Sequence, residues 1–189
     1  IHGEYESFSH LLRSSSGIIR AKIEETFGNM MSEEDQLEHA NLIYYPSETI
    51  EKKRHDEDIT TKQLHDEQKI TINRLIAICK VVSSKYTRSK VRKKMPADYA
   101  YAIDELMHLD MNDFNKKAYY NEIINGIIEI ESADEFVIAL CELIQNLTID
   151  SLHIIGDIFD RGPRPDLVME EIMNFHDVDI QWGNHDIDW

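Results

Sequence analysis

A chain of 189 residues with 42% hydrophobic and 30% charged residues can bury a sizeable core and reads as one globular domain, a lobed insertion included. Its formal charge of −16 excludes a surface built to hold phosphate backbones, so nucleic acid is not an expected partner. No apolar run approaches the roughly 20 residues that span a bilayer, and no basic-then-apolar leader opens the chain, so no membrane partner is expected and the expected location is cytoplasmic.

In chain order, Phe8, Leu11 and Leu12, then Ile19, Ile23 and Phe27, recur three or four positions apart, which predicts two short helices between Tyr5 and about Gly28. Ser32 with Asp35 three residues later resembles a capping box, and Pro46 is expected to stop the helix through Leu42 and Tyr45. From about Ile59 to Tyr86 there is neither Gly nor Pro. Ile70, Ile72, Leu75, Ile76, Cys79 and Val82 are available for burial there, so one long helix is the economical reading. Cys79 and Cys141 both stand among aliphatic residues and read as small buried hydrophobes, not as a disulfide framework. Residues 97–109 and about 113–130 are further helices, and Ser132 with Glu135 supplies an N-cap pair before a helix through Phe136 to Leu147.

The period then changes. Ser151-Leu152-His153-Ile154-Ile155 is a short apolar run ending in Gly-Asp, which predicts a buried strand feeding a loop. Pro165 opens a helix with Leu167, Val168, Ile172 and Met173 as its inner face, and Val178 to Trp182 forms a second strand before a loop that begins at Gly183. The tail is therefore a strand, helix, strand unit of the α/β kind, with functional groups at the carboxyl ends of its strands.

Those two loops carry the chemistry. Gly156-Asp157-Ile158-Phe159-Asp160-Arg161-Gly162 places two carboxylates three positions apart between glycines that let the backbone turn beneath a ligand. A carboxylate can bridge two divalent ions about 3.5–4 Å apart that hold the attacking oxygen and a phosphoryl group, and Asp157 is the expected bridging ligand. In Gly183-Asn184-His185-Asp186, Asn184 offers a carbonyl oxygen suited to Mn²⁺ or Mg²⁺, and His185 can protonate a leaving alkoxide. Asp160 is expected to hold that imidazole in its working tautomer, and Arg161 to stabilise charge on the transferred phosphoryl group. Taken singly, each has a plainer reading as a helix cap, a turn or a surface ion pair. Together they point to a two-metal phosphoesterase.

The two loops resemble the second and third motifs of the calcineurin-like metallophosphoesterases. The first motif of that family is Asp-x-His-Gly, and Ile1-His2-Gly3 matches its last three positions, which makes His2 a metal ligand by resemblance. His2 and Asp157 lie 155 positions apart, far more than is usual in the family, so a long helical insert is expected between the motifs. That insert, together with His-Gly-Glu-Tyr-Glu-Ser-Phe, Lys-Tyr-Thr-Arg-Ser-Lys-Val-Arg-Lys and Gly-Asp-Ile-Phe-Asp-Arg-Gly-Pro-Arg-Pro-Asp, is similar to the class III fructose-1,6-bisphosphatases of bacteria.

The resemblance implies an α/β fold: part of a calcineurin-like sandwich core, begun by residues 1–16, interrupted by a helical insertion at 17–148, and resumed at 149–189. It implies hydrolysis of fructose 1,6-bisphosphate to fructose 6-phosphate and phosphate in gluconeogenesis, with Mn²⁺ as the metal and a sugar bisphosphate as the partner. Oligomeric state is left open, a homo-oligomer included. The chain starts without Met and stops at Trp189, which reads as a piece of a longer protein. In the family the histidines that complete both metal sites follow the third motif, so this stretch alone is expected to bind metal weakly.

Lys85, Arg88, Lys90, Arg92, Lys93 and Lys94 put six cations into ten residues. They are read as a holder for the second phosphate of a bisphosphate, with Arg88 and Arg92 as contacts, as a solvated basic helix end, or as an intramolecular partner for acidic helices. His153, within a strand, and His176, at a helix end, are expected to be structural. Two other functions compete with the sugar phosphatase: a protein Ser/Thr phosphatase, which shares the motifs, and a non-catalytic helical interaction module.

Overall fold

The computed structural model describes residues 4–54 and 59–187. Helices α1 (Tyr5–Ser14), α2 (Ile18–Phe27), α3 (Glu33–Tyr44), α4 (Pro46–Arg54), α5 (Thr61–Ser83), α6 (Arg88–Lys94), α7 (Ala100–His108), α8 (Phe114–Glu129) and α9 (Ala133–Thr148) come first. Strand β1 (Leu152–Ile154), α10 (Pro165–Asn174), β2 (Val178–Ile180) and the single turn α11 (Asn184–Ile187) follow.

The helical part is organised around α5 and α9. Both are long enough to present several turns of apolar residues to each other: Ile72, Leu75, Ile76 and Cys79 of α5, and Phe136, Leu140, Cys141 and Ile144 of α9, are all essentially inaccessible to water. Burial pushes the thiols of Cys79 and Cys141 well above their ordinary range, which leaves them unreactive packing groups. Ile70, expected inside, is half exposed, and Ile78 takes a core position instead.

Local signals set most helix ends. Ser32 Oγ accepts from the Asp35 N–H at 3.1 Å, as the capping pattern predicts, and Thr60 with Gln63 forms a full capping box that starts α5. Ser132 departs from expectation, because its φ of −101° and ψ of 15° are off the extended geometry of a cap and its side chain makes no cap bond. Pro46 does separate two helices, yet it also opens α4, since proline's missing N–H costs nothing in a first turn. The basic run forms its own short helix, α6, capped by Thr87 Oγ1.

Buried residues divide into two clusters. The larger runs from Ile19 to Leu147, and the smaller joins Phe8 and Leu12 of α1 to Ile154, Ile158, and Val168 and Ile172 of α10. The chain leaves the smaller cluster through Ser15, Ser16 and Gly17, three successive residues at positive φ that turn α1 sharply into α2. It returns through Asp150, which Lys90 and Lys94 hold at 2.6 and 3.1 Å. Ser9 Oγ donates to Glu171 Oε1 at 3.2 Å, fastening α1 to α10.

β1 and β2 are parallel, with Leu152 opposite Val178 and Ile154 opposite Ile180. The strands are shorter than the sequence predicts, and β1 is covered on one face only. Ile154 is buried under α1 and α10, whereas Ile155 is 75% exposed. Met173, expected on the inner face of α10, is also exposed.

His39 of α3 is buried in the larger cluster's margin. Its Nδ1 lies 2.8 Å from the Asp35 carbonyl, which can only accept, so Nδ1 carries the proton and Nε2 accepts from Arg74 Nη1 at 3.4 Å. Burial foremost, then Arg74 and Lys53, push its pKa below the ordinary value, against the Asp35 carbonyl and Glu38. The unfolded chain therefore takes up a proton that the folded chain refuses. Stability from neutral His39 is complete above about pH 6.5 and is lost as the pH falls toward the lower folded value. His39→Gln should flatten the drop in Tm between about pH 7.5 and about pH 5.5 relative to the parent. Equal drops in both proteins would remove His39 as the cause.

Candidate active site

A parallel pair must deliver both of its carboxyl-terminal loops to the same end of the sheet, and here those loops are 156–162 after β1 and 181–187 after β2. They touch through their glycines. A Cβ added at Gly156 would collide with the backbone N and Cα of Gly183 and lie 2.8 Å from the Trp182 carbonyl carbon. One added at Gly183 would collide with Asp157, 2.7 Å from its Cγ. Gly156 also holds φ at +85°, a region closed to most side chains.

The first loop is strained. Asp157 and Arg161 both sit at φ +58°, which costs an L residue roughly 1–2 kcal/mol each, toward the lower end for Asp. Such a backbone persists where neighbours over-determine it. Asp186 supplies that constraint. Its Oδ2 accepts from the Asp157 N–H at 2.7 Å and the Gly183 N–H at 2.9 Å, and its Oδ1 from the Phe159 N–H at 3.2 Å. Burial pushes the Asp186 carboxyl up, but the N–H groups of Gly183, Phe159, Asp157 and Ile158 outweigh it and hold the group below its ordinary range.

The expected site residues fall as follows. Asp157 is half-buried, and its Oδ1 accepts from the His185 N–H at 3.4 Å, so its carboxylate lies against the second loop. Asn184 and His185 open α11 and are exposed. The Asp160 side chain is only 16% exposed and lies 3.5 Å from Arg161 Nε, while the Arg161 side chain is 88% exposed beside it. His2 lies outside the described residues. The loops thus bring Asp157, Asn184 and His185 to one end of the sheet, two of them hard oxygen donors that fit Mn²⁺ or Mg²⁺. Among the described residues no group of three or more His, Cys, Asp or Glu converges as a metal cluster.

Arg88 and Arg92 are drawn elsewhere. Arg88 grips Asp104 of α7 with two bonds of 3.1 and 2.7 Å, Arg92 Nε lies 3.9 Å from the same carboxylate, and His108 Nδ1 3.3 Å. The Arg88 hydrogen bonds hold the Asp104 carboxyl below its usual range. His153 pairs across the strands with Asp179 at 2.9 Å, and His176 meets the Asp150 carbonyl at 3.0 Å.

A family model described as Firmicute fructose-1,6-bisphosphatase matches residues 1–189. The chain belongs to that family. It is 53% identical over its whole length to a class 3 fructose-1,6-bisphosphatase of Clostridium novyi (strain NT), and 52% identical, again over its whole length, to one of Bacteroides thetaiotaomicron. A third relative, from Clostridium botulinum (strain Alaska E43 / Type E3), is 54% identical over 192 residues. In each case the chain spans 28% of the relative's length. No solved structure matches.

Asp186 is the residue that pattern reading missed. The sequence signal was present, since two loops that each open with a glycine leave several N–H groups without ladder partners, but which carboxylate takes them depends on how the loops meet. Gly156→Ala should destabilise the chain by about 2 kcal/mol or more, because the obstacles are backbone atoms, and urea unfolding reads this directly. A change below about 0.5 kcal/mol would mean that the loops do not approach this closely.

Proposed function

We propose that the protein to which this chain belongs is a two-metal phosphomonoesterase that hydrolyses fructose 1,6-bisphosphate to fructose 6-phosphate and phosphate, in the cytoplasm and in the service of gluconeogenesis. The observation that carries the reading is the apposition of Asp157 with Asn184 and His185 across two loops at the carboxyl end of a parallel strand pair. Family membership supplies the substrate class. In the same reading, β1, α10 and β2 are a piece of a calcineurin-like sandwich core. The exposed Ile155 and Trp182 support this, as apolar groups of the kind further core elements cover. Residues 17–148 are then a helical insertion.

Asp157, Asn184 and His2 would hold Mn²⁺, with Mg²⁺ as an alternative, and the ions when bound polarise the phosphoryl oxygens and lower the pKa of water. His185 donates a proton to the sugar oxygen as its bond to phosphorus breaks and the bond from water oxygen forms. Asp160 orients the imidazole, and Arg161, a planar donor fork on an exposed turn, faces the charge gathering on the phosphoryl oxygens.

The test is Mn²⁺-dependent phosphate release from fructose 1,6-bisphosphate by the full-length parent, beside Asp157→Asn and a phosphopeptide substrate. Asp157→Asn should abolish sugar turnover, and His185→Ala should lower kcat by roughly 10²–10⁴-fold with little change in Mn²⁺ affinity. Phosphopeptide turnover in place of sugar turnover would make the protein a Ser/Thr phosphatase, and no metal-dependent turnover would favour a helical interaction module.

A substrate contact from Arg88 and Arg92 has to be reconciled with their grip on Asp104. Arg92→Glu separates the roles, since a phosphate contact raises KM for the bisphosphate about tenfold or more, whereas a purely structural role lowers Tm and leaves KM unchanged.

A further inference from the structure

Two loops that must present ligands to the same point need a fixed relative position, yet the contact between them is made at glycines, which carry no side chains to lock it. Backbone N–H groups of both loops supply handles at the contact. Asp157, Phe159 and Gly183 each direct one at the same carboxylate, at 2.7, 3.2 and 2.9 Å. That carboxylate belongs to Asp186, on the turn that also carries Asn184 and His185. The Asp186 N–H in turn donates to the Gly183 carbonyl at 3.2 Å, closing the turn on itself.

We infer that Asp186 is a positioning residue: its carboxylate clasps the loop after β1 to the loop after β2, and so sets where Asp157 stands relative to Asn184 and His185. The inference deepens the phosphatase reading and rests on it for its consequence, though the clasp itself is a matter of hydrogen bonds alone. A carboxylate is suited to the task because it accepts several N–H bonds at once and each is strengthened by its charge. The strain at Asp157 gives the clasp its purpose. Left-handed backbone at a non-glycine residue relaxes unless it is held, and the shortest bond in the set, 2.7 Å, is the one to the Asp157 N–H. Relaxation there would swing the Asp157 carboxylate away from the second loop. A side chain that orients a ligand without touching the metal typically accounts for 10–100-fold in metal affinity.

The experiment uses the full-length parent, with Asp186→Ala, Asp186→Asn and Asp157→Asn. Amide hydrogen exchange reads the clasp directly, and Mn²⁺ titration by calorimetry reads its consequence. In Asp186→Ala, exchange at Asp157, Phe159 and Gly183 should accelerate about tenfold or more while the amides of α5 and α9 stay protected. Mn²⁺ affinity should fall about 10–100-fold, and kcat should fall with it. Asp186→Asn keeps one acceptor oxygen and should fall between the parent and Asp186→Ala on both scales, which serves as the reading if the alanine variant does not fold. Asp157→Asn should lose Mn²⁺ binding yet keep the exchange protection of Gly183.

Unchanged exchange at the three amides in the Asp186 variants would overturn the clasp. Accelerated exchange with unchanged Mn²⁺ affinity would overturn its role in positioning. If the parent itself bound no Mn²⁺, the phosphatase reading would fail by a separate route, because the exchange data stand without it.

Discussion

Leu152, His153 and Ile154 pair with Val178, Asp179 and Ile180 in parallel, and this pairing decides where everything else at the candidate site can be. Parallel strands end on the same side, so the loops that follow them are forced into each other's company. In this chain they approach so closely that only glycine fits at Gly156 and Gly183. The closeness has two effects. It removes side-chain packing as a means of holding the loops, and it leaves unladdered N–H groups facing one another across a narrow gap. An acceptor with charge has to fill that gap, and Asp186 does so.

The strain in the first loop follows from the same geometry. After β1 the backbone must turn within a few residues, and Gly156, Asp157 and Arg161 all take positive φ to do it. Glycine does this without cost, while Asp157 and Arg161 do not. The cost is offset by the bonds that Asp186 accepts and by the burial of Ile158 in the smaller core, beside Ile154 and Val168. A side chain on an over-determined backbone is pre-organised, which is what a metal ligand or an electrostatic catalyst requires.

The helical body meets this small core along a polar seam. The acidic surplus of the chain makes the basic run at α6 conspicuous, and its charges are used locally. Lys90 and Lys94 converge on Asp150 at the entry to β1, and Arg88 holds Asp104. The seam therefore ties the first residues of the α/β unit to the end of α9, through Lys94 and the Asn146 carbonyl at 3.2 Å. Of the readings open for that run, the intramolecular one accounts for the partners that Arg88, Lys90 and Lys94 have.

Much of this was legible in the residues themselves. Apolar spacing of three and four specifies helices because the helical repeat is local, and it located α1, α2, α5, α8 and α9. The strand, helix, strand tail and its two loops, each opening with a glycine, were legible for the same reason: a turn is dictated by the residues within it. Errors arose where the outcome depends on distant chain. Ile155 points to solvent because α1 and α10 cover only one face of β1, and Met173 falls on the exposed side of α10. Arg88 found Asp104, and Asp186 found an N–H 29 positions earlier. The sequence by itself determined which groups were present and how each local segment bends. Only the tertiary structure decided which unpaired N–H meets which carboxylate, since hydrogen bonds between distant segments exist only once the strands have set the loops face to face.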